Sequence, residues 1–467
     1  MPDVRPVLPT EPAAAPATSS APTSPASPAA APAPADAPAP ADAPARAADP
    51  ARAAVRGGVL GNYVDQFDIF LPVLALAPVA AELYGPRAVV TYAGLVFVAT
   101  LVGRPLGAAL LGSLADRVGR AVVARASMLG LGVTTLLIAA LPVAAMSHEA
   151  VLLAVVALRF VSGVLIGGGY TSAVPLAIEW SAPRRRGLVS GVVMAMSPAA
   201  NATIAALVLV LLGVLGADGY AAWGWRVPFV VGAVLAFAAV VHFRRHVRDT
   251  PERAAAAPAA RPLTTVLVGA ERHRLWRLMV LMTGLWLFTT MGVTVVTSQL
   301  GVVAGLDGAA VTRTMLVATA VSAVAMVASG HASTRVGRRR FLAGFGVAAA
   351  ALAPATYLAA FAGPASPGAL VALVTVLQVV TVSAYGPIGA YLAERFPPAV
   401  RSSGYGTAYS LSIVLPALYP FWLPPLQAAS GDVAPVAALL ALGGVLVAVG
   451  AATSPQEAMA DPAADPV

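Results

Sequence analysis

Twelve stretches of this chain are apolar over about the length a helix needs to cross a hydrocarbon core ~30 Å thick, which is ~20 residues. They span residues 58–83, 89–112, 121–145, 150–177, 187–214, 226–243, 276–302, 310–330, 341–362, 368–392, 403–427 and 433–453. Hydrophobic residues make up 58% of the 467 and charged ones 11%, against roughly 25% charged in a soluble domain. Inside lipid every backbone N–H and C=O must be satisfied within the protein, so a spanning segment is a helix or a strand of a closed barrel. The period-two alternation over about ten residues that marks barrel strands is absent. The sequence therefore predicts an all-α membrane protein with twelve transmembrane helices.

A polar run, Gly112-Ser-Leu-Ala-Asp-Arg-Val-Gly-Arg120, is wedged between two of these segments, and Gly330-His-Ala-Ser-Thr-Arg-Val-Gly-Arg338 repeats it 218 positions later. The same offset carries Gly58, where the first apolar run opens, to Trp276, where the seventh opens. Two pseudo-symmetric six-helix bundles are expected, at 56–246 and 276–453, joined by a loop at 247–275 and flanked by tails at 1–55 and 454–467. The first tail is nearly all Pro, Ala, Ser, Thr and Asp, too poor in apolar surface to offset the entropy of ordering. It has no apolar core of the kind a secretory signal needs.

The formal charge of +8 comes from arginine alone, since the chain has no lysine. Its distribution explains it better than nucleic-acid binding does. With Gly112–Arg120 on the cytoplasmic side, 20 loop arginines fall inside and three, Arg87, Arg226 and Arg313, fall outside. This is the positive-inside asymmetry, and it puts both termini in the cytoplasm of a plasma-membrane protein. Basic stretches such as Arg244-Arg-His-Val-Arg248 suit anionic lipid head groups. The absence of cysteine excludes thiol chemistry and disulfides. No His-Glu-x-x-His cluster occurs, and the Gly-rich string Gly167-Gly-Gly169 lacks the Gly-Lys-Ser/Thr ending of a phosphate loop. No enzyme is implied.

Four charges sit inside apolar segments: Asp65 and Asp68 in the first helix, Arg104 in the second and Arg159 in the fourth. The aspartates, three apart, share a helical face. A lone charge at mid-membrane costs on the order of 2.5–3.5 kcal/mol even on the lenient scale, so such groups pair or line a wet cavity. Moving 218 positions from Asp68, Arg104 and Arg159 reaches Trp286, Ser322 and Leu377, so the second bundle has no charged counterparts. It offers neutral groups instead, including Trp286, Gln299, Gln378, Tyr385 and Tyr409, of which Gln378 and Tyr385, seven apart, share a face of the tenth helix.

With its twelve helices, two repeats and Gly112–Arg120 motif, the chain resembles the major facilitator superfamily over about residues 56–453. It is more closely similar to the metabolite:proton symporter branch through Gly61-Asn62, Asp65, Asp68, Gly103-Arg-Pro-Leu-Gly107, Arg159-Phe160, Arg184-Arg-Arg-Gly187, Trp223-Gly-Trp-Arg-Val-Pro-Phe229, Asp249-Thr-Pro-Glu252 and Glu394-Arg-Phe-Pro397. It departs from that branch where Gly169 stands in place of a usual glutamate, and where Asp65-Gln-Phe-Asp-Ile69 replaces the usual helix 1 pattern. In the second motif copy Thr334 replaces the acid.

The resemblance implies a monomeric secondary transporter that works by alternating access, driven by a proton gradient and without a cofactor. A small organic anion, a carboxylate, is expected at Arg104 or Arg159 with Gln378 and Tyr385, and the coupled proton on Asp68 or Asp65. A symporter of a zwitterion such as betaine or proline, and a proton-coupled exporter of amphipathic compounds, stand beside this reading. Asp116, Arg117, Gly119 and Arg120 form the expected gate, with Asp116 capping an opposing helix N-terminus. Glu179 and Glu394 are expected to join it through Arg184–Arg186 or Arg401.

Overall fold

The computed structural model describes residues 50–85, 89–251 and 259–454. The expectations for residues 1–49 and 455–467, Arg87, Glu252 and Arg253 lie outside the described residues.

The first helix, α1, spans Pro50–Ala75. It begins eight residues before the apolar run at 58, because Pro50 fits a helix start and Ala51, Ala53 and Ala54 are strong helix formers. The buried Ala53 receives a contact from His242 Nε2 at 3.0 Å on its carbonyl, tying this extension to the bundle. There follow α2 (Val89–Val118), α3 (Arg120–Ala139) and α4 (His148–Glu179). Helix α5 is built from Arg186–Met194 and Met196–Gly219, and α6 is Arg226–His246. A short loop helix, Pro262–Leu267, precedes α7, which runs from Arg272–Thr289 through a π-turn at Thr290–Val295 into Val296–Val302. Next come α8 (Gly308–Val336), α9 (Arg338–Phe361) and α10, whose Pro367–Val382 segment passes through a 3₁₀ turn at Ser383–Tyr385 into Ile388–Arg395. Last are α11, in the pieces Arg401–Leu411, Val414–Ala417 and Tyr419–Ser430, and α12 (Ala434–Thr453).

Among the described residues eleven helical spans are long and apolar enough to cross a membrane. The remaining expected segment, 403–427, is α11, which is present but interrupted. Pro416 and Pro420 lack the N–H groups that would continue the ladder to Ser412 and Pro416, so the helix breaks near Ser412 and Leu418.

Within the first six helices α2 and α3 pack on α4, α3 packs on α6, and α1 lies against α4, α5 and α6. Within the last six, α12 packs on α7 and α9, and α8 on α10. The sets meet chiefly where the first piece of α11 lies on α2 and α4 and where α8 lies on α5, with the second piece of α10 also against α4 and α5. The repeat offset is visible in the elements, since α2 ends at Val118 and α8 at Val336. Each is followed by a glycine with positive φ, Gly119 at +110° and Gly337 at +90°, a conformation that only glycine adopts without strain. That is why both motif copies keep the glycine although their acids differ.

Helix α4 uses its glycines for close approach. A β-carbon at Gly163 or Gly167 would run into the α2 backbone at Thr100 and Arg104, so packing accounts for them. Gly169 faces elsewhere.

Candidate substrate site and inter-bundle gate

Asp65 and Asp68 are both buried, at 1% and 3% exposure, but their surroundings differ. Asp68 accepts Arg159 Nη1 at 2.8 Å on Oδ2 and Nη2 at 3.2 Å on Oδ1, a fork that matches the carboxylate edge. Arg159 Nη1 also reaches the Asp68 carbonyl at 3.0 Å, and Thr135 Oγ1 donates to Oδ1 at 2.5 Å. Asp65, one turn nearer the motif end, has no hydrogen-bond partner on either oxygen among the described residues. Its oxygens lie 3.2 and 3.4 Å from where a β-carbon on Gly169 would stand, so the branch's glutamate position is the one that faces Asp65. The cation whose field acts on Asp65 is Arg104.

The two intramembrane arginines thus part company. Arg159 cross-links α4 to α1, its guanidinium engaged by Asp68. Arg104, 2% exposed, projects from α2 to aromatic groups of the second bundle, with its guanidinium carbon 6.0 Å from the Trp286 ring centre and 5.6 Å from that of Tyr409. Its Nε and Nη2, the two nitrogens of one bidentate edge, have no hydrogen-bond partner among the described residues.

The aromatic wall is interlocked. Trp286 stands edge-on to Tyr409 at 5.0 Å and to Tyr385 at 5.7 Å, and its Nε1 donates to the Tyr409 carbonyl at 2.9 Å. Tyr170 of α4 reaches Tyr409 at 4.3 Å and Tyr405 at 5.4 Å. Thr289 Oγ1 donates to the Tyr385 hydroxyl at 3.0 Å. Tyr170 and Tyr405 join this wall although the sequence does not single them out. The i, i+4 spacing of Tyr405 and Tyr409 was the available signal.

Gln378 and Tyr385, on either side of the step from α-helix to the 3₁₀ turn at Ser383–Tyr385, meet different neighbours. Tyr385 lies in the aromatic wall. Gln378 turns into the α8–α10 contact, where its Oε1 meets Ser322 Oγ at 3.4 Å and Thr319 Oγ1 at 3.5 Å.

At the motif end a second constellation closes the bundles on each other. The buried Asp116 accepts the backbone N–H of Ser402 at 2.9 Å and of Ser403 at 2.8 Å, capping the N-terminus of α11. Arg120 donates through Nε to Ser402 Oγ at 3.0 Å and through Nη2 to the Pro398 carbonyl at 2.9 Å. Glu179, ending α4, pairs with both Arg120 and Arg401, one from each half. Arg117 instead holds the inter-bundle loop, donating to the Ala260 carbonyl at 3.0 Å. Asp249 caps α3 by accepting the N–H groups of Arg120 at 2.8 Å and Ala121 at 3.1 Å. Glu394 pairs with Arg338 at 3.1 Å, and Arg338 is the repeat counterpart of Arg120. The arginine–glutamate pair is therefore duplicated, whereas the acidic cap is not. At the matching place Thr334 offers a hydroxyl beside Gly187, next to the start of α5, and that hydroxyl has no partner among the described residues.

Two six-helix sets, buried charges where they meet and a polar network joining them at the motif end are the arrangement of a membrane transporter rather than of an enzyme. The Major Facilitator Superfamily model matches residues 59–420, and the chain belongs to that superfamily. It is similar to an inner membrane metabolite transport protein of Escherichia coli, at 29% identity over 376 residues, covering 76% of this chain and 83% of that protein. An ectoine/proline transporter of Corynebacterium glutamicum is 28% identical over 396 residues (78% and 75% covered), and the alpha-ketoglutarate permease of Escherichia coli is 29% identical over 373 residues (77% and 83%). Among solved structures the fold is similar to that of the proton:xylose symporter XylE, with a TM-score of 0.66 at 14% identity, covering 86% of this chain and 95% of that one. These relationships support the metabolite:proton symporter-like branch.

Proposed function

We propose that the chain is a proton-coupled importer of a small organic carboxylate, working by alternating access as a monomer in the plasma membrane. The observation that carries this reading is a pair of complementary groups left open in one buried region: the Nε–Nη2 edge of Arg104, and the carboxyl of Asp65. A guanidinium edge of that form matches a carboxylate bidentately. An ionised carboxyl buried without a donor costs far more than the protonated acid, so Asp65 is the place for a transported proton. Asp68, engaged by Arg159 and Thr135, serves as structure. The proton gradient supplies the energy and no cofactor is required.

The arginine asymmetry supports a cytoplasmic motif end and cytoplasmic termini. The Asp116, Arg120 and Glu179 contacts then hold the cytoplasmic side shut while the site is loaded from outside. Rocking of one bundle against the other breaks them and opens the site inward. The similarity to an alpha-ketoglutarate permease supports a carboxylate substrate. The test is uptake of 2-oxoglutarate, citrate and related acids into proteoliposomes with and without an inward proton gradient. Gradient-stimulated uptake that is lost in Arg104→Ala is expected. Uptake of carboxylates indifferent to both the gradient and Arg104 would rule the reading out.

A further inference from the structure

Two neutral amides flank Asp65 on α1, and each is only half used. Asn62 and Gln66 are one helical turn apart, so both reach the same neighbour, α5. Asn62 Nδ2 donates to the Val193 carbonyl at 2.5 Å, and Gln66 Oε1 accepts Ser197 Oγ at 2.8 Å. The two side chains are 2% and 8% exposed. Asn62 Oδ1 has no partner among the described residues, and Gln66 Nε2 makes no hydrogen bond there. One free end is an acceptor and the other carries two N–H donors. Leaving such groups buried and unpaired is costly, and a ligand that satisfies them recovers that cost. The face of α5 involved looks toward the second bundle: Ser190, two turns before Ser197 on that face, donates to the Gly386 carbonyl at 2.6 Å and accepts the Ala390 N–H at 3.1 Å.

We infer that Asn62 and Gln66, the latter positioned by Ser197, form a neutral pole of the substrate site that binds a hydroxyl group, so that the preferred substrate is a hydroxylated carboxylate. A hydroxyl both donates and accepts, matching the free Oδ1 of Asn62 and the free Nε2 of Gln66, whereas a methylene satisfies neither. Arg104 takes the carboxylate and the amides read what the rest of the molecule carries. The inference rests on the carboxylate reading above and names the substrate class of that same site. Gln66 stands within the Asp65-Gln-Phe-Asp-Ile69 stretch that departs from the branch's usual pattern. A site built to hydrogen-bond a substrate hydroxyl discriminates strongly against the analogue that lacks it, because its own polar groups are then left unpaired.

The experiment measures initial uptake into proteoliposomes carrying the full-length chain. Malate and succinate, which differ by one hydroxyl, are one pair of probes, and 4-hydroxyproline and proline are the other. Wild type is expected to favour malate over succinate in kcat/KM by at least about tenfold, with the difference carried by KM. Gln66→Leu should bring that ratio down to about one. Ser197→Ala should narrow it, and Ser197→Thr, which keeps the hydroxyl, should restore it. Gln66→Met repeats the comparison if the leucine variant does not elute as a monodisperse species. Wild type that does not distinguish malate from succinate overturns the inference, and so do folded Gln66 variants that keep the wild-type ratio. If wild type takes up neither diacid, the carboxylate reading fails by itself and the second pair decides the hydroxyl pole. A preference for 4-hydroxyproline that falls in Gln66→Leu then supports it, and no such preference overturns it.

Discussion

Asp65 on α1 faces Gly169 on α4, its oxygens 3.2 and 3.4 Å from the point where a β-carbon at 169 would begin. Nothing in the described structure donates to that carboxyl. A side chain with a donor at position 169 therefore tests the proposed proton site directly.

Gly169→Ser places a hydroxyl against Asp65, with the flexible Met128 side chain the other near neighbour, 3.3 Å from the added carbon. The ionised carboxylate gains a donor, so the proton is held less tightly. Half-maximal uptake should move to lower external pH while the protein remains folded. An unchanged pH profile in Gly169→Ser would count against Asp65 as the carrier.

The Asp68–Arg159 pair predicts a different phenotype. Removing one partner of a buried ion pair leaves an uncompensated charge and typically costs about 3–5 kcal/mol. Arg159→Leu should lower the thermal unfolding midpoint in detergent strongly. Combining it with Asp68→Leu should restore most of the loss, because apolar replacement of both partners is far less costly. If the double variant is as unstable as the sum of the singles, the pair is not the coupling between α1 and α4.

Asp116 caps α11 across the bundle boundary through Ser402 and Ser403. A charge at a partly buried helix N-terminus is worth up to ~2 kcal/mol, so Asp116→Asn should raise opening of the motif end by about fivefold to thirtyfold. The chain has no cysteine, so Ser403→Cys gives a single maleimide target without background. Faster labelling of Ser403→Cys in the Asp116→Asn background is the expected result.

Thr334 supplies the reverse test. Thr334→Asp installs the missing carboxylate near the start of α5, where the repeat has only a hydroxyl beside Gly187. Labelling of Ser403→Cys should slow as the closed motif end gains a second cap. Labelling that stays the same or accelerates would show that the two motif copies do not act as equivalent latches.

Helix number, repeat register and the cap from Asp116 could be read from sequence because each depends on local pattern: segment length, the 218-residue offset and the polar motif. What could not be read was partner choice. Asp65 and Asp68 look alike on one helical face, and only packing brings Arg159 and Thr135 to the second and Gly169 to the first. Likewise Arg104 and Arg159 are equal as buried charges until α7 and α11 bring Trp286 and Tyr409 to one of them. Gln378 and Tyr385 lie on one helix, and only packing brings α8 to the first and Trp286 and Thr289 of α7 to the second. Glu179 joins Arg120 to Arg401, a contact between residues 222 positions apart that no local pattern encodes.

The central claim is that Asp65, and not Asp68, carries the coupled proton. It is tested most directly by recording proton entry with a pH-sensitive dye in proteoliposomes on addition of 2-oxoglutarate, alongside exchange of labelled for unlabelled substrate. In Asp65→Asn, proton entry should vanish while exchange persists. Proton entry that continues at the wild-type ratio to substrate in Asp65→Asn would contradict the account.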